Sequence, residues 1–297
     1  MKIMITGSSG LIGSKLIPLL SSEGHKITRL TRSRSNLHPD TVYWNPDKGE
    51  IETHGLEGHD AVVHLAGESI AGRWTREKKA RIVESRVKST KLLSETIVGL
   101  KSKPRVIVSA SGIGYYGDRG DEILTEESEP GEGFLAELSV EWEKALRPAM
   151  EAGVRVVYMR LGIVLSGEGG ALEKMLTPFK LGLGGTLGDG RQYWSWIAID
   201  DVVRAIYYSL DEESLSGPVN FTAPAPVPNK EFTKALGEVL SRPALLTVPV
   251  FVLRGLFGDM ADETMLGSTR AVPRMLLSSG YEFYFPELKG ALEHVLL

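Results

Sequence analysis

Along the first 165 positions, apolar residues come in short, nearly continuous runs separated by longer stretches where they recur every three or four residues. Lys2 to Ile5 is such a run. It is followed by Thr6-Gly7-Ser8-Ser9-Gly10-Leu11-Ile12-Gly13 and then by Leu16, Leu19 and Leu20, a pattern that predicts strand, glycine turn and helix. Pro18 lies beyond the first turn and should bend that helix, because it removes a backbone hydrogen bond. Lys26 to Thr31 predicts the second strand, and Asp60 to Ala66, Arg105 to Ser109 and Val154 to Arg160 predict three more. Between them, amphipathic helices are expected from about Arg76 to Gly99 and from about Phe134 to Ala152. Apolar strands alternating with long helices imply a parallel sheet covered on both faces. The expected fold class is therefore α/β, a Rossmann-like doubly wound parallel sheet.

After about Leu165 the texture changes. Gly182, Gly184, Gly185, Gly188 and Gly190 crowd together, and Pro218, Pro224, Pro226 and Pro228 follow. We expect a dinucleotide-binding domain over residues 1–165, with 195–215 returning to it, and a small loop-rich substrate lobe from 166–194 and 216–297. The apolar stretch from Val248 to Phe257 is expected to be core rather than an interface or a membrane-touching surface.

Composition narrows the function. At 297 residues the chain is long enough for two domains, or for one large α/β domain with a lobe, at roughly 150 residues per domain. A net charge of −4 argues against nucleic acid as the main partner. The absence of cysteine excludes disulfides, thiolate metal sites and cysteine nucleophiles, and fits a cytoplasmic setting. No apolar run reaches the length of a membrane span, and Ile3-Met4-Ile5, which ends at Gly7, is too short for a signal peptide, so no membrane partner is expected.

The glycine loop carries the first chemistry. Gly7 permits a tight turn, Gly10 lets backbone approach a diphosphate, and Gly13 lets helix and strand pack closely, with phosphates at the helix N-terminus. Gly7, Ser9, Gly10, Leu11, Ile12 and Gly13 are thus candidate cofactor contacts. The end of the second strand discriminates between dinucleotides. An NAD site places a carboxylate there for the ribose 2′-hydroxyl, but no Asp or Glu lies between Glu23 and Asp40. Thr31, Arg32, Ser33 and Arg34 occupy the position instead, and Arg32 is expected to read a 2′-phosphate, which makes NADP the expected cofactor.

At this point the motifs resemble a family. Thr6-Gly7-x-x-Gly10-x-x-Gly13, Asp60-x-x-x-His64-Leu65-Ala66-Gly67, Ser109-x-Ser111 leading to Tyr116-Gly117, Arg160, and Trp196-Ile197-x-Ile199-Asp200-Asp201 resemble the extended short-chain dehydrogenase/reductases. His64-Leu65-Ala66-Gly67-Glu68, Gly114-Tyr115-Tyr116-Gly117, Pro178-Phe179-x-Leu181-Gly182-Leu183-Gly184-Gly185 and Gly280-Tyr281-x-Phe283-x-Phe285-Pro286-Glu287-Leu288 are similar to an atypical NADP-binding branch of the epimerase family. The resemblance implies that Leu65, Ala66 and Gly67, with Glu68 and Ser109 beside them, line the cofactor path. It places Arg160 near the nicotinamide and makes Ser111 the serine that bonds a substrate carbonyl or hydroxyl. His64 is either a motif residue of the site or a buried strand histidine. A dimer through the long central helices follows from the resemblance alone.

One signature of that family is missing. Its members pair tyrosine with a lysine four residues on, which lowers the tyrosine pKa for proton exchange during hydride transfer. Four residues after each of the nine tyrosines stands something other than lysine, and Phe134 and Leu138 fall where the pair should be. Tyr115 and Tyr116 beside Ser111 are the candidate catalytic substitutes, with Glu68 or Arg119 as helpers, or else a pair that packs at a strand end. Arg86 takes the place of the usual helix asparagine, and could meet a cofactor phosphate or a substrate carboxylate or lie in solvent. Gly188 to Trp196 groups aromatic rings with Arg191 and Gln192, suited to a sugar ring or a planar anion, or to interdomain packing by Trp194 and Trp196. One of Asp200 and Asp201 is expected to cap a helix, and no metal site is expected. The sequence therefore predicts an NADP(H)-dependent oxidoreductase or epimerase-like protein for a small-molecule substrate bearing a hydroxyl or carbonyl. The alternative is a non-catalytic NADP(H)-binding sensor or scaffold.

Overall fold

The computed structural model describes residues 1–34 and 38–297. Its first elements are β1 (Lys2–Thr6), α1 (Leu11–Ser22), β2 (Lys26–Thr31), β3 (Thr41–Asn45), β4 (Glu50–Ile51), β5 (Ala61–His64), α2 (Arg76–Val98) and β6 (Val106–Gly112). Then come β7 (Ile123–Leu124), α3 (Phe134–Lys144), α4 (Arg147–Glu151), β8 (Arg155–Leu161), β9 (Ile163–Leu165), α5 (Gly170–Lys180), β10 (Gly185–Leu187), β11 (Tyr193–Trp194), β12 (Trp196–Ala198), α6 (Ile199–Asp211) and β13 (Gly217–Phe221). The chain ends with β14 (Val227–Pro228), α7 (Asn229–Val239), β15 (Leu246–Val248), α8 (Val250–Phe257), β16 (Arg270–Ala271), α9 (Arg274–Ser278) and α10 (Leu288–Leu296).

Eight strands form the central sheet in the order β13-β8-β6-β5-β1-β2-β3-β4. All neighbours are parallel except β3 and β4. Strand alternation divides the side chains between two cores. Ile3, Ile5, Val63, Val108 and Val157 face α1 and α6, while Met4, Val62, Ile107 and Val156 face α2 and α4. The doubly wound α/β sheet expected from the sequence is thus present.

The structure adds strands to those expected. β3 extends one side, and β13 forms the other edge beside β8, so the sheet draws on residues beyond 216. Pro218 is tolerated there because an edge strand can spare one N–H. The helix expected from Phe134 to Ala152 is broken after Lys144, since Pro148 lacks the N–H that would continue it. Residues 195–215 run through β12, which pairs with β9, and α6, which packs on the first core. A separate apolar cluster, with Phe179, Trp194, Trp196, Phe232, Leu236 and Leu292, forms the small lobe.

Two expectations are corrected here. Asp200 and Asp201 do not cap α6, whose N-cap is Ala198 without a side-chain bond. Asp201 is fully buried and accepts the backbone N–H groups of Tyr284 and Phe285 at 2.8 and 2.9 Å, fastening the C-terminal segment. The Val248–Phe257 stretch is not core. α8 buries only Leu253 and leaves Phe251 76% and Leu256 61% exposed. Its four consecutive apolar residues, Val250 to Leu253, mask a helix with a single buried side chain. Among the described residues, no helix is long and apolar enough to cross a membrane.

A polar chain ties the layers together. His64 is completely buried between the Thr6 hydroxyl at 2.7 Å and the Thr90 hydroxyl at 2.9 Å. Trp142 Nε1 donates to the same Thr90 oxygen at 2.9 Å, so β1, β5, α2 and α3 share one network. Burial drops the His64 pKa from 6.5 to about 4. The unfolded chain therefore takes up this proton before the folded one does. The stabilisation is complete above pH 6.5 and is lost as the pH falls toward 4, a swing of about 3 kcal/mol at roughly 1.4 kcal/mol per unit. Urea denaturation between pH 7.5 and 4.5 should show this decline, and His64→Gln should flatten it. An unchanged slope in the variant assigns the acid sensitivity elsewhere.

Candidate functional site

The strand order reverses between β2 and β5 on either side of β1, and the carboxyl ends of the strands open there. The glycine loop lies at this point because no other residue fits. Gly7 has φ +68°, and a Cβ on it would stand 2.7 Å from the Leu65 carbonyl carbon. A Cβ on Gly13 would come within 2.4 Å of the Gly7 oxygen. The closeness of β1, β5 and α1 therefore depends on these two positions. Thr6 Oγ1 accepts the N–H groups of Leu65 and Ala66 at 3.1 and 3.2 Å, fixing the second wall of the crevice against the first. Ser9 and Gly10 are exposed, with Leu11 and Ile12 half-buried at the start of α1, a cradle that a phosphate group fits.

At the end of β2, the Thr31 hydroxyl accepts from the Ser33 N–H at 3.2 Å and shapes the turn. Arg34 is engaged: its guanidinium stacks 3.9 Å above the Tyr43 ring and pairs with Glu50 at 3.5 Å. Arg29 pairs with Asp40. Arg32 is exposed and has no ion-pair partner among the described residues.

The carboxyl ends of β6 and β8 carry the candidates for chemistry. Register sets Ser111 opposite Arg160, and a 3-10 turn over Ile113–Tyr116 brings both tyrosines back over them. What joins them is Glu143 from α3, which the sequence reading missed. Arg160 donates from Nε and Nη2 to the two Glu143 oxygens, both at 2.9 Å, and Ser111 Oγ donates to Oε1 at 2.7 Å. Arg160 Nη1 also donates to the Tyr116 hydroxyl at 3.1 Å, which donates to Asn220 Oδ1 at 2.7 Å. Burial by itself would lower the Arg160 pKa, but the Glu143 carboxylate beside it holds the guanidinium well above its ordinary value.

Three expectations change in consequence. Ser111 and Arg160 are 4% and 3% exposed with their polar atoms committed to Glu143, so they support the site rather than reach into it. Ser109 is likewise buried. Tyr116 is fully enclosed, burial pushes its phenol up to about 12, and its hydroxyl donates to Asn220. Tyr115 differs. It is half-buried, its ring lies 3.4 Å from the Arg160 guanidinium, and its hydroxyl bonds to nothing among the described residues. The one sequence cue to Glu143 was a charged position within the buried helix stripe of Leu138, Ser139 and Trp142.

Phe134 and Leu138 do not replace the missing pair with another polar pair. They pack with Trp74 and Ile82 in an apolar cluster. The helpers are engaged as well: Glu68 pairs with Lys78 at 2.7 Å, and Arg119 pairs with Glu122 at 2.8 Å. Gln192 donates to the carbonyls of Leu187 and Met265, and Trp194 and Trp196 are buried in the lobe core, so these three hold the lobe together, while Arg191 is exposed and Tyr193 half-buried.

Fold and cradle together define a Rossmann-type protein of the extended short-chain dehydrogenase/reductase kind. The chain belongs to the NAD dependent epimerase/dehydratase family, whose model matches residues 3–220, and a domain of unknown function, DUF1731, matches residues 248–295. It is 43% identical over 291 residues to the Mycobacterium tuberculosis epimerase family protein MT2273, covering 98% of this chain and 96% of that one. The crystal structure of human epimerase family protein SDR39U1 with NADPH superposes with a TM-score of 0.91 at 33% identity, covering 99% of both chains. A nucleoside-diphosphate sugar epimerase from Corynebacterium glutamicum gives 0.83 at 38% identity, over all of this chain and 58% of that one.

Removing the Glu143 carboxylate leaves a buried guanidinium without counter-charge, which costs about 3–5 kcal/mol. Glu143→Ala should therefore lower stability by that order in urea denaturation at neutral pH, while Ser111→Ala, which removes a single hydrogen bond, should cost about 1 kcal/mol. Equal, small losses in both would show that the pair does not hold the site.

Proposed function

We propose that the protein is an NADP(H)-dependent oxidoreductase or epimerase-like enzyme acting on a small compound that bears a hydroxyl or carbonyl group. The observation that carries this reading is Arg32: of the basic residues around the end of β2, Arg29 and Arg34 are spoken for and Arg32 is not. A planar guanidinium suits a ribose 2′-phosphate, and no carboxylate competes for the ribose from this turn. The glycine loop would hold the diphosphate, and Leu65, Ala66 and Gly67 would line the path beyond it. The NADPH in the human SDR39U1 structure supports the same choice. Bound there, the dinucleotide would supply hydride donor and acceptor chemistry.

Tyr115 is the proton donor in this reading, giving its phenolic proton to a carbonyl oxygen as that oxygen gains negative charge, and taking it back in reverse. Glu143 would act through Arg160, which keeps the Tyr115 ring in place.

A second reading, a non-catalytic NADP(H) binder, is favoured by a specific observation: the position of the family's tyrosine and lysine is filled by an apolar cluster. Two measurements separate the readings. Calorimetric titration of nucleotide-free protein should show NADPH binding at least tenfold tighter than NADH, about 1.4 kcal/mol, with the preference lost in Arg32→Ala. Equal affinities in the unaltered protein would overturn the NADP assignment. Substrate-dependent change in NADPH absorbance across a panel of carbonyl compounds should then be present and fall at least a hundredfold in Tyr115→Phe, the order expected for a lost general acid. Tight NADPH binding with no turnover across the panel supports the binder, and turnover indifferent to Tyr115→Phe removes that tyrosine as the acid.

A further inference from the structure

Arg86, half-buried on α2, is held by the carbonyls of Glu68 and Ile82 and is not the solvated helix residue that the sequence allowed. The exposed cations of the small lobe stand differently. From Lys174 to Gly188 and from Val239 to Gly258 the chain carries no aspartate or glutamate, although its acids outnumber its bases by 38 to 34. These two runs meet in the fold. β10 pairs with β15, which sets Gly185 beside Leu246 and Leu187 beside Val248, and Arg242 Nε donates to the Lys180 carbonyl at 3.1 Å. α8 follows β15 directly after Pro249.

On this acid-free part, Leu181, Leu183, Leu245, Leu246, Phe251 and Leu256 are each half or more exposed, Leu245 to 89%. None of the six joins an apolar cluster of the sheet or the lobe. Among the described residues, Lys174, Lys180 and Arg242 have no ion-pair partner, while Arg254 pairs with Asp262 at 2.9 Å. Glu238, beside the turn that carries Arg242, is taken up by Lys234 and Lys289 at 3.8 Å each. Large apolar side chains gathered in the open in this way mark a binding face.

We infer that this face docks on an anionic phospholipid surface. The leucines and Phe251 enter the boundary between headgroups and acyl chains, and Lys180 and Arg242 meet the lipid phosphates. Charge selects this occupant. A second copy presenting the same face would set the cations against one another, whereas a leaflet of acidic lipid supplies the negative charge and the apolar boundary in one plane. The length that rules out a spanning helix does not bear on a surface that lies at the interface. The inference goes beyond the cofactor reading and does not depend on it.

The experiment is co-sedimentation of the full chain with vesicles of phosphatidylcholine alone and of phosphatidylcholine with about one third phosphatidylglycerol. Binding to the mixed vesicles at low salt is expected, weaker by about tenfold or more on phosphatidylcholine alone and in concentrated salt. Lys180→Glu with Arg242→Glu, and separately Leu245→Ser with Phe251→Ser, should each weaken it by about tenfold or more. Leu277→Ser, at an exposed leucine on α9, should leave it unchanged. Thermal melting verifies that each variant folds, and either pair carries the comparison if the other does not fold. Absence of binding to the mixed vesicles overturns the inference, as does binding indifferent to both pairs or equal on the two kinds of vesicle. A dimer of the unaltered protein in sedimentation velocity that dissociates in Leu245→Ser with Phe251→Ser makes a second copy the occupant and overturns it as well.

Discussion

A half-buried glutamate and a buried arginine pair at the carboxyl edge of the parallel sheet, and much of the architecture around the site follows from satisfying them. Glu143 belongs to α3 and Arg160 to β8, so their two hydrogen bonds of 2.9 Å fix a helix over the strand ends. Ser111 adds β6 to the same carboxylate, and Tyr116 adds the turn after β6. From Tyr116 the chain of bonds runs through Asn220 on the edge strand β13 to Glu126, whose Oε1 accepts the N–H groups of Asn220 and Met275. Burial holds the Glu126 carboxyl above its usual range, and its other oxygen has no hydrogen-bond partner among the described residues. A pair enclosed to this degree gains little over an apolar one of the same shape, but each member becomes indispensable once the other is present. The network thus explains why residues with a site-like place in sequence, Ser111 and Arg160, serve as scaffold.

The sequence made some parts of this arrangement legible and hid others for identifiable reasons. Glycine spacing between an apolar run and a helix declares the nucleotide crevice because Gly7 and Gly13 answer to steric limits that act within a dozen residues. Strand alternation at Ile3, Met4 and Ile5 is equally local. β13 is hidden because Gly217, Pro218 and Asn220 have the composition of a loop. Only its place at the edge of the sheet, and the burial of Val219 and Phe221, make it a strand. Asp201 is hidden similarly. An acidic residue in the first turn of a helix looks like a cap or a dipole partner, whereas here it is the acceptor for a backbone segment more than eighty positions away. Glu143 depends on partners 32 and 17 residues distant, which no periodicity encodes.

The C-terminal segment shows how the lobe and the sheet domain are coupled. Arg73 donates to the Gly255 carbonyl at 2.6 Å, Lys79 pairs with Asp259 at 2.6 Å, and Met260 packs into the apolar cluster of Trp74, Phe134 and Leu138. Glu263 accepts the N–H groups of Phe134 and Leu135 at 3.0 and 2.8 Å, which supplies the cap that Gly133 lacks. These contacts converge on the start of α3 and the approach to α2, where the family's tyrosine and lysine would stand. The replacement of that pair by Phe134 and Leu138 is therefore more than a deletion. Apolar side chains at these two positions let Met260 and Trp74 pack there, and a carboxylate from the lobe takes over the helix N-terminus.

That coupling bears on what chemistry the site can host. With the helix N-terminus occupied by Glu263 and the strand-end serine by Glu143, the groups near the crevice that keep polar atoms without a partner among the described residues include the Tyr115 hydroxyl, Nε and Nη2 of Arg86 and the Arg32 guanidinium. Two are cations and one is a hydroxyl, a combination that suits a ligand carrying negative charge. In place of a tyrosine and a lysine side by side on one helix, a hydroxyl stands on the turn after β6 and a cation on α2.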